Sequence, residues 1–350
     1  DEIRQQPAAL EKTLRQEKKA MERLRRRLEA KRPKLIVLVA RGTSDNAAQF
    51  GRYLLEIATG IPVSLAAPSI YTLYGAQVRL GADDMVIAIS QSGESTDTNL
   101  VLERAKAVGA LTIGITNEAE STLAKIADEA FLVRAGRERS VAATKTYTGQ
   151  LMVLYMIAWA LGADLKMSDL ERIPEWAQAA LKLEDEIAER AIRYRFMEHA
   201  VVVGRGLNYA NAYEFALKMM ETCYVVAERF SSADFLHGPI AMVEQAFPMF
   251  LFGPSGVTWP SIAEMREKLI GLQADALLLT DKSNRAAMEG DRKRTVCIPA
   301  KLAHKGSLPE DVFTPIPYIV PAQLFAASLA LEKGLNPDQP RTLSKVTQTL

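Results

Sequence analysis

Apolar positions along the chain change their period after residue 32, and the change predicts two kinds of structure. Over residues 7–32, Leu10, Leu14, Met21, Leu24 and Leu28 are spaced by 4, 7, 3 and 4, which places them on one face of a helix. The opposite face is rich in Arg and Lys, including Arg25-Arg26-Arg27, and is expected to be solvated. The leucine stripe would then pack on the body of the protein or on a partner subunit. After Pro33, short apolar runs alternate with amphipathic stretches. Leu35–Val39, Val63–Ala66, Met85–Ile89, Leu111–Ile115 and Ala130–Val133 read as strands, with helices over residues 46–59 and 98–108. Strand, helix, strand at this spacing predicts right-handed crossovers and a parallel sheet covered on both faces. Residues 144–195 read as mostly helical. The apolar run Leu151–Leu161 is shorter than the ~18 residues a membrane span needs, so it predicts a buried helix.

The second half repeats the first. Val39-Ala40-Arg41-Gly42 and Val203-Gly204-Arg205-Gly206 are 164 residues apart, as are Thr116-Asn117 and Thr280-Asp281. Ser92-Gly93 and Ser255-Gly256 are 163 apart, and each pair follows a strand candidate. The expected fold class is therefore α/β, with two tandem copies of one doubly wound parallel-sheet unit. The expected division is an N-terminal helix at 1–33, units at 34–165 and 196–335, a helical linker at 166–195 and a tail at 336–350.

Composition narrows the function classes. Lys plus Arg is 43 against 42 for Asp plus Glu, so no global field favours nucleic acid. Cys223 and Cys297 lack CxxC spacing, and His199, His237 and His304 are scattered, so neither a metal site nor a cofactor is expected. The charged start Asp1-Glu-Ile-Arg shows no secretory pattern, and the expectation is a cytoplasmic protein with no membrane partner.

The most informative stretch runs from Ile87 through Ser90-Gln91-Ser92-Gly93-Glu94-Ser95 to Thr98. A buried strand ends in a hydroxyl-rich turn and a helix starts at once. At the carboxyl edge of a parallel sheet this geometry suits a phosphate group, held by helix N–H groups and by Ser90, Ser92, Ser95 and Thr96. No Lys stands in the turn, which excludes a nucleotide P-loop and favours a phosphate monoester on a small molecule. Gly93 is expected to let the backbone approach the ligand. Thr43 and Ser44 face the same edge after the first strand. The second copy has Leu207-Asn208 and Gly253-Pro254-Ser255 at these places, so it should supply something else. Glu214, Lys218 and Glu221 are spaced 4 and 3 on one helical face among Phe215, Ala216, Leu217, Met219 and Met220. A carboxylate partly buried there would have a raised pKa and could move protons. His237, before Gly238-Pro239, is a candidate acid or base. Lys345 is a tail residue by position alone.

Ser90-Gln-Ser-Gly-Glu-Ser-Thr-Asp97, Val141-Ala-Ala-Thr-Lys145, Glu214-Phe-Ala-Leu-Lys218, Glu221, His237-Gly-Pro239 and Asp338-Gln-Pro-Arg341 together resemble the sugar isomerase (SIS) family. The likeness is to the isomerase half of glutamine–fructose-6-phosphate aminotransferases and to glucosamine-6-phosphate deaminases, from about residue 34 onward. It implies two SIS domains, a homodimer with shared sites and an amino-sugar phosphate as substrate. It implies phosphate binding by Ser44, Ser90, Gln91, Ser92 and Ser95, with Thr43, Val141, Glu214 and Lys218 nearby. It implies proton transfer by Glu221, ring opening by His237 of the neighbouring subunit, and carbonyl positioning or Schiff-base chemistry by Lys345. Departures from the aminotransferase pattern, among them Arg41-Gly-Thr-Ser-Asp-Asn46 and the charged opening helix in place of a glutaminase domain, favour a deaminase converting glucosamine-6-phosphate to fructose-6-phosphate and ammonia. A related aldose–ketose isomerase or a fructosamine-phosphate deglycase is the enzymatic alternative, and a sugar-phosphate sensor the non-enzymatic one.

Overall fold

A long helix, Gln6–Ala30, opens the chain, and its Leu10, Leu14, Met21, Leu24 and Leu28 are all buried. They pack on the helix Lys145–Ala160 of the same chain, so the stripe is not left for a partner subunit. The basic face is solvated as expected: Arg25 pairs with Glu29 at 3.0 Å and lies over the Trp159 ring. The structure, a computed structural model, describes residues 1–77, 79–343 and Lys345; positions 344 and 346–350 of the expected tail lie outside the described residues.

Two five-stranded parallel sheets follow. The first holds β1 (Leu35–Val39), β2 (Val63–Leu65), β3 (Asp84–Ile89), β4 (Leu111–Thr116) and β5 (Glu129–Leu132), in the order β2-β1-β3-β4-β5. The second holds β6 (His199–Gly204), β7 (Val226–Ser231), β8 (Pro248–Phe252), β9 (Asp275–Asp281) and β10 (Thr295–Ile298), in the order β10-β9-β8-β6-β7. Read from its far edge, the second order is that of the first. The starts of β1 and β6, β3 and β8, and β4 and β9 are each 164 residues apart, the offset of the sequence repeat. Strand order reverses between β1 and β3 and between β6 and β8, and in open α/β sheets ligands bind in the crevice at that switch.

The central strands form where the sequence is continuously apolar, as burial on both faces requires. One apolar cluster runs through both units and includes Tyr147 and most of residues 151–160 of the helix Lys145–Ala160; two smaller clusters fill the outer faces. Residues 145–193 are largely helical, with helices Lys145–Ala160, Met167–Leu170, Ile173–Leu181 and Glu184–Arg193. Helix starts differ from expectation. The first unit's helices begin at Thr43 and Thr96, two or three residues early, because their polar first turns carry no apolar period to read.

Candidate active site

The hydroxyl-rich turn sits at the switch point of the first sheet. Val39 is the register partner of Ala88, so the chain leaving β1 through Arg41 and Gly42 runs beside Ser90. Ser90 Oγ accepts the Gly93 N–H at 3.1 Å, and Ser92 Oγ accepts the Glu94 N–H at 3.3 Å. Ser95 precedes the helix Thr96–Ala107 without capping it by a side-chain hydrogen bond; its hydroxyl meets Thr98 Oγ1 at 3.0 Å instead. The first helical N–H groups thus lack a side-chain cap at the crevice, where a macrodipole favours an anion. Gly93 has a structural task in the turn. At φ +68°, a Cβ there would stand 2.2 Å from Ser121 Oγ and 3.0 Å from Thr116 Oγ1, so the glycine admits the neighbouring loop. Glu94 fastens the turn to that loop: its carboxylate accepts the Thr122 N–H at 2.9 Å and hydroxyl at 2.7 Å, which holds it below the usual carboxylate range. Beneath the turn, the buried Asp97 receives Arg41 Nη2 at 2.5 Å, joining the end of β1 to the helix after β3.

The second unit supplies the charged groups. The helix Tyr209–Lys218 runs into a π-helical turn, Met219–Cys223, which ends at Tyr224 in the left-handed conformation at φ 55°. Such widened turns are rare and concentrate at functional sites. Lys218 Nζ stands 2.5 Å from Glu221 Oε2 and 3.6 Å from Glu214 Oε1. From the first unit, Asn46 Nδ2 donates to Glu214 at 2.7 Å and Thr43 Oγ1 donates at 3.3 Å. Lys218 donates in turn to Thr43 Oγ1 at 3.3 Å. The cluster therefore closes across the seam between the two units.

Burial sets the electrostatics. Glu214 is fully buried, and desolvation outweighs the Lys218 cation, pushing the carboxyl up to about 7. Burial alone would lower Lys218; the Glu214 and Glu221 carboxylates outweigh it and hold the ammonium above its ordinary value. Lys218 is thus a cation throughout the neutral range, while Glu214 exchanges its proton there. The raised value has a linkage consequence. Between the ordinary carboxylate value of 4.5 and about 7, the folded chain keeps a proton that the unfolded chain releases, so stability falls as pH rises through that window. Glu214→Gln, which cannot ionise, is expected to lose this part of the pH dependence. Thermal denaturation of both proteins at about pH 5 and about pH 8 checks it, and equal pH dependence would contradict the assignment.

The remaining candidates are dispersed. Ser44 points into the fold, where its Oγ accepts Gln150 Nε2 at 2.9 Å. Gln91 joins the turn to β4 through its carbonyl, which accepts the Asn117 N–H at 3.0 Å. Val141 lies in the loop after β5, its N–H bonded to Asp338 O at 3.2 Å. Lys345 reaches the same loop, with Nζ 3.0 Å from Glu138 Oε2 and 2.6 Å from Ser140 O. A cavity of about 630 Å³ lies between this loop and the charged cluster, lined by Ser140, Thr144, Lys218, Thr222, Gln323 and Asp338 among others. His237 is not brought to them. It is exposed at the end of the helix Ser232–Leu236 and makes no side-chain hydrogen bond among the described residues.

Two participants escaped the sequence reading. Asn46 carried a signal, a polar residue on an otherwise apolar helix face. Glu138 carried none within Arg137-Glu-Arg139, yet its carboxylate is fully buried. It accepts the Thr144 N–H at 2.9 Å, the Thr146 N–H at 3.2 Å and the Thr146 hydroxyl at 2.6 Å, besides Lys345. Among the described residues, no group of three or more His, Cys, Asp or Glu could hold a metal ion, and no helix is long and apolar enough to cross a membrane.

The model of the SIS domain matches the chain twice, over residues 30–160 and 196–333. The chain belongs to the SIS domain family. Its curated relatives include the isomerizing glutamine–fructose-6-phosphate aminotransferase of Pyrococcus horikoshii, 36% identical over 316 residues, 89% of this chain and 51% of that protein. The corresponding protein of Methanothermobacter thermautotrophicus is 35% identical over 353 residues, 98% of this chain and 56% of that protein. The chain thus spans about half the length of these relatives. Among solved structures, the C-terminal domain of glucosamine-fructose-6-phosphate aminotransferase from Francisella tularensis is similar with a TM-score of 0.84 and 28% identity, covering 97% of this chain and 96% of that one. Each SIS domain match takes in one five-stranded sheet, so the charged cluster lies where two SIS domains meet.

Proposed function

We propose that the chain is an aldose–ketose phosphosugar isomerase that converts glucosamine-6-phosphate to fructose-6-phosphate and ammonia. The observation that carries the reading is the Glu214–Lys218–Glu221 set, with Glu214 and Lys218 buried and bonded to Thr43 and Asn46 of the first unit, since phosphate recognition alone has no use for it. The phosphate would lie on Ser90, Ser92 and Ser95 and on the open N–H groups after them, turning remote binding into orientation at the reacting carbons. His237, entering from the neighbouring subunit of a homodimer, would open the sugar ring. Glu221 would take the proton from C2 and return it to C1, with Lys218 stabilising the carboxylate and Glu214 holding or releasing a proton near neutrality. The C2 imine so formed adds water and loses ammonia, so one water is consumed for each ammonia released. Lys345 would hold the carbonyl carbon's substituents in line from the loop at Glu138 and Ser140.

A second reading keeps the isomerase chemistry without nitrogen loss, and identity to the aminotransferases supports it equally. The two part on one measurement. Incubation with a panel of amino-sugar 6-phosphates is expected to release ammonia in step with ketose phosphate. Ketose formation from aldose phosphates without ammonia from any amino sugar would favour the second reading, and neither product would leave a sensor.

A further inference from the structure

Four consecutive residues, Glu138 to Val141, carry most of what joins the tail to the loop after β5, and a carboxylate from the far N-terminus grips the middle of them. Glu2 Oε1 accepts the Arg139 N–H at 2.6 Å and Glu2 Oε2 accepts the Ser140 N–H at 3.2 Å. The next N–H, that of Val141, goes to Asp338 O at 3.2 Å, and the Ser140 carbonyl receives Lys345 Nζ at 2.6 Å. Behind the carboxylate lies Lys145, 3% exposed, its Nζ 3.9 Å from Glu2 and bonded at 2.8 Å to both Gln5 Oε1 and Arg137 O. The gripping segment is itself held: Gln6 Nε2, fully buried, donates to Gln323 Oε1 at 2.8 Å, and Arg4 pairs with Glu184 at 2.7 Å.

We propose that Glu2 is a positioning residue for the site described above, acting through the loop and not on the substrate. A carboxylate that accepts two successive backbone N–H groups fixes the orientation of both peptide planes, and charge assistance makes each bond stronger than a neutral one. The next peptide plane, which carries both the Ser140 carbonyl that receives Lys345 and the Val141 N–H that goes to Asp338, hangs directly from the second gripped plane, so its direction is set from Ser140 onward. Without the carboxylate, both N–H groups lose their only protein acceptor among the described residues, and the loop keeps the tail contacts and the bonds of Glu138 to Thr144 and Thr146 and of Arg137 O to Lys145. Asp1 to Arg4 also wall the cavity that Ser140, Thr144 and Lys218 line, so the grip and the cavity share one boundary. The inference rests on the proposed reading only where it names the ligand.

The test compares wild type, Glu2→Ala and Glu2→Gln in the full chain. Three readouts are taken: amide exchange over residues 137–144, fructose-6-phosphate affinity by calorimetry, and melting temperature. In Glu2→Ala, exchange at Arg139 and Ser140 should rise and affinity fall about tenfold or more, the scale of one or two charge-assisted hydrogen bonds. Glu2→Gln keeps one acceptor oxygen and should recover part of both. Unchanged exchange in Glu2→Ala overturns the grip. A fall in melting temperature with general loss of protection, not restored by Glu2→Gln, makes Glu2 merely structural and also overturns it. If wild type binds no sugar phosphate while local exchange rises in Glu2→Ala, the grip stands and the proposed ligand is what fails.

Discussion

Glu221→Gln is expected to lower turnover about 100- to 10,000-fold while leaving sugar-phosphate binding largely intact. The amide keeps the volume and one acceptor for Lys218, so the charged cluster is expected to stay assembled, but it removes the base proposed for the C1/C2 transfer. The position favours this role: Glu221 lies on the π-helical turn, half-buried, 2.5 Å from a cation held above its ordinary pKa. Steady-state kinetics and calorimetry with fructose-6-phosphate separate the two effects, and solvent-deuterium incorporation at C1 or C2 should fall with turnover. A fully active Glu221→Gln protein would remove the residue from proton transfer.

Mixing two inactive proteins, His237→Ala and Glu221→Gln, is expected to restore part of the activity once subunits exchange. His237 is exposed and makes no side-chain hydrogen bond to the cluster among the described residues, and the proposed role places it in a neighbour's site. A mixed dimer then contains one site with both native residues and one with neither, as two-fold symmetry requires. Confirmed exchange with activity no higher than that of the parents would mean that no site borrows its histidine. The leucine stripe of the N-terminal helix no longer argues for a dimer, because its own chain covers it.

What the sequence revealed and what it concealed follow from the range of the interactions. β1, β3 and β4 were readable because a strand buried on both faces must be apolar throughout, and their 164-residue echo in β6, β8 and β9 made the duplication readable too. Glu214, Lys218 and Glu221 stood out because three charges on an apolar helix face need a reason. The partners of these residues did not stand out. Asn46 meets Glu214 across 168 residues, and Glu138 meets Lys345 across 207, and no local pattern records such a meeting. The π-helical turn was invisible for another reason: its sequence, Met219-Met-Glu-Thr-Cys223, continues the helical apolar period without a break.

The helices that meet at the charged cluster are the same helix counted twice. Thr43–Thr59 follows the first strand of one unit, Tyr209–Lys218 follows the first strand of the other, and the two pack together. At the repeat offset of 164, Asn46 corresponds to Ala210 and Thr43 to Leu207, while Glu214 corresponds to Phe50 and Lys218 to Leu54. All four counterparts are apolar and buried. An ancestor built from two identical chains would have had to place any new residue at this crossing twice, once on each side of its axis. Two copies within one polypeptide are free of that restriction. One side of this crossing holds the charged groups, and the other is ordinary buried hydrocarbon.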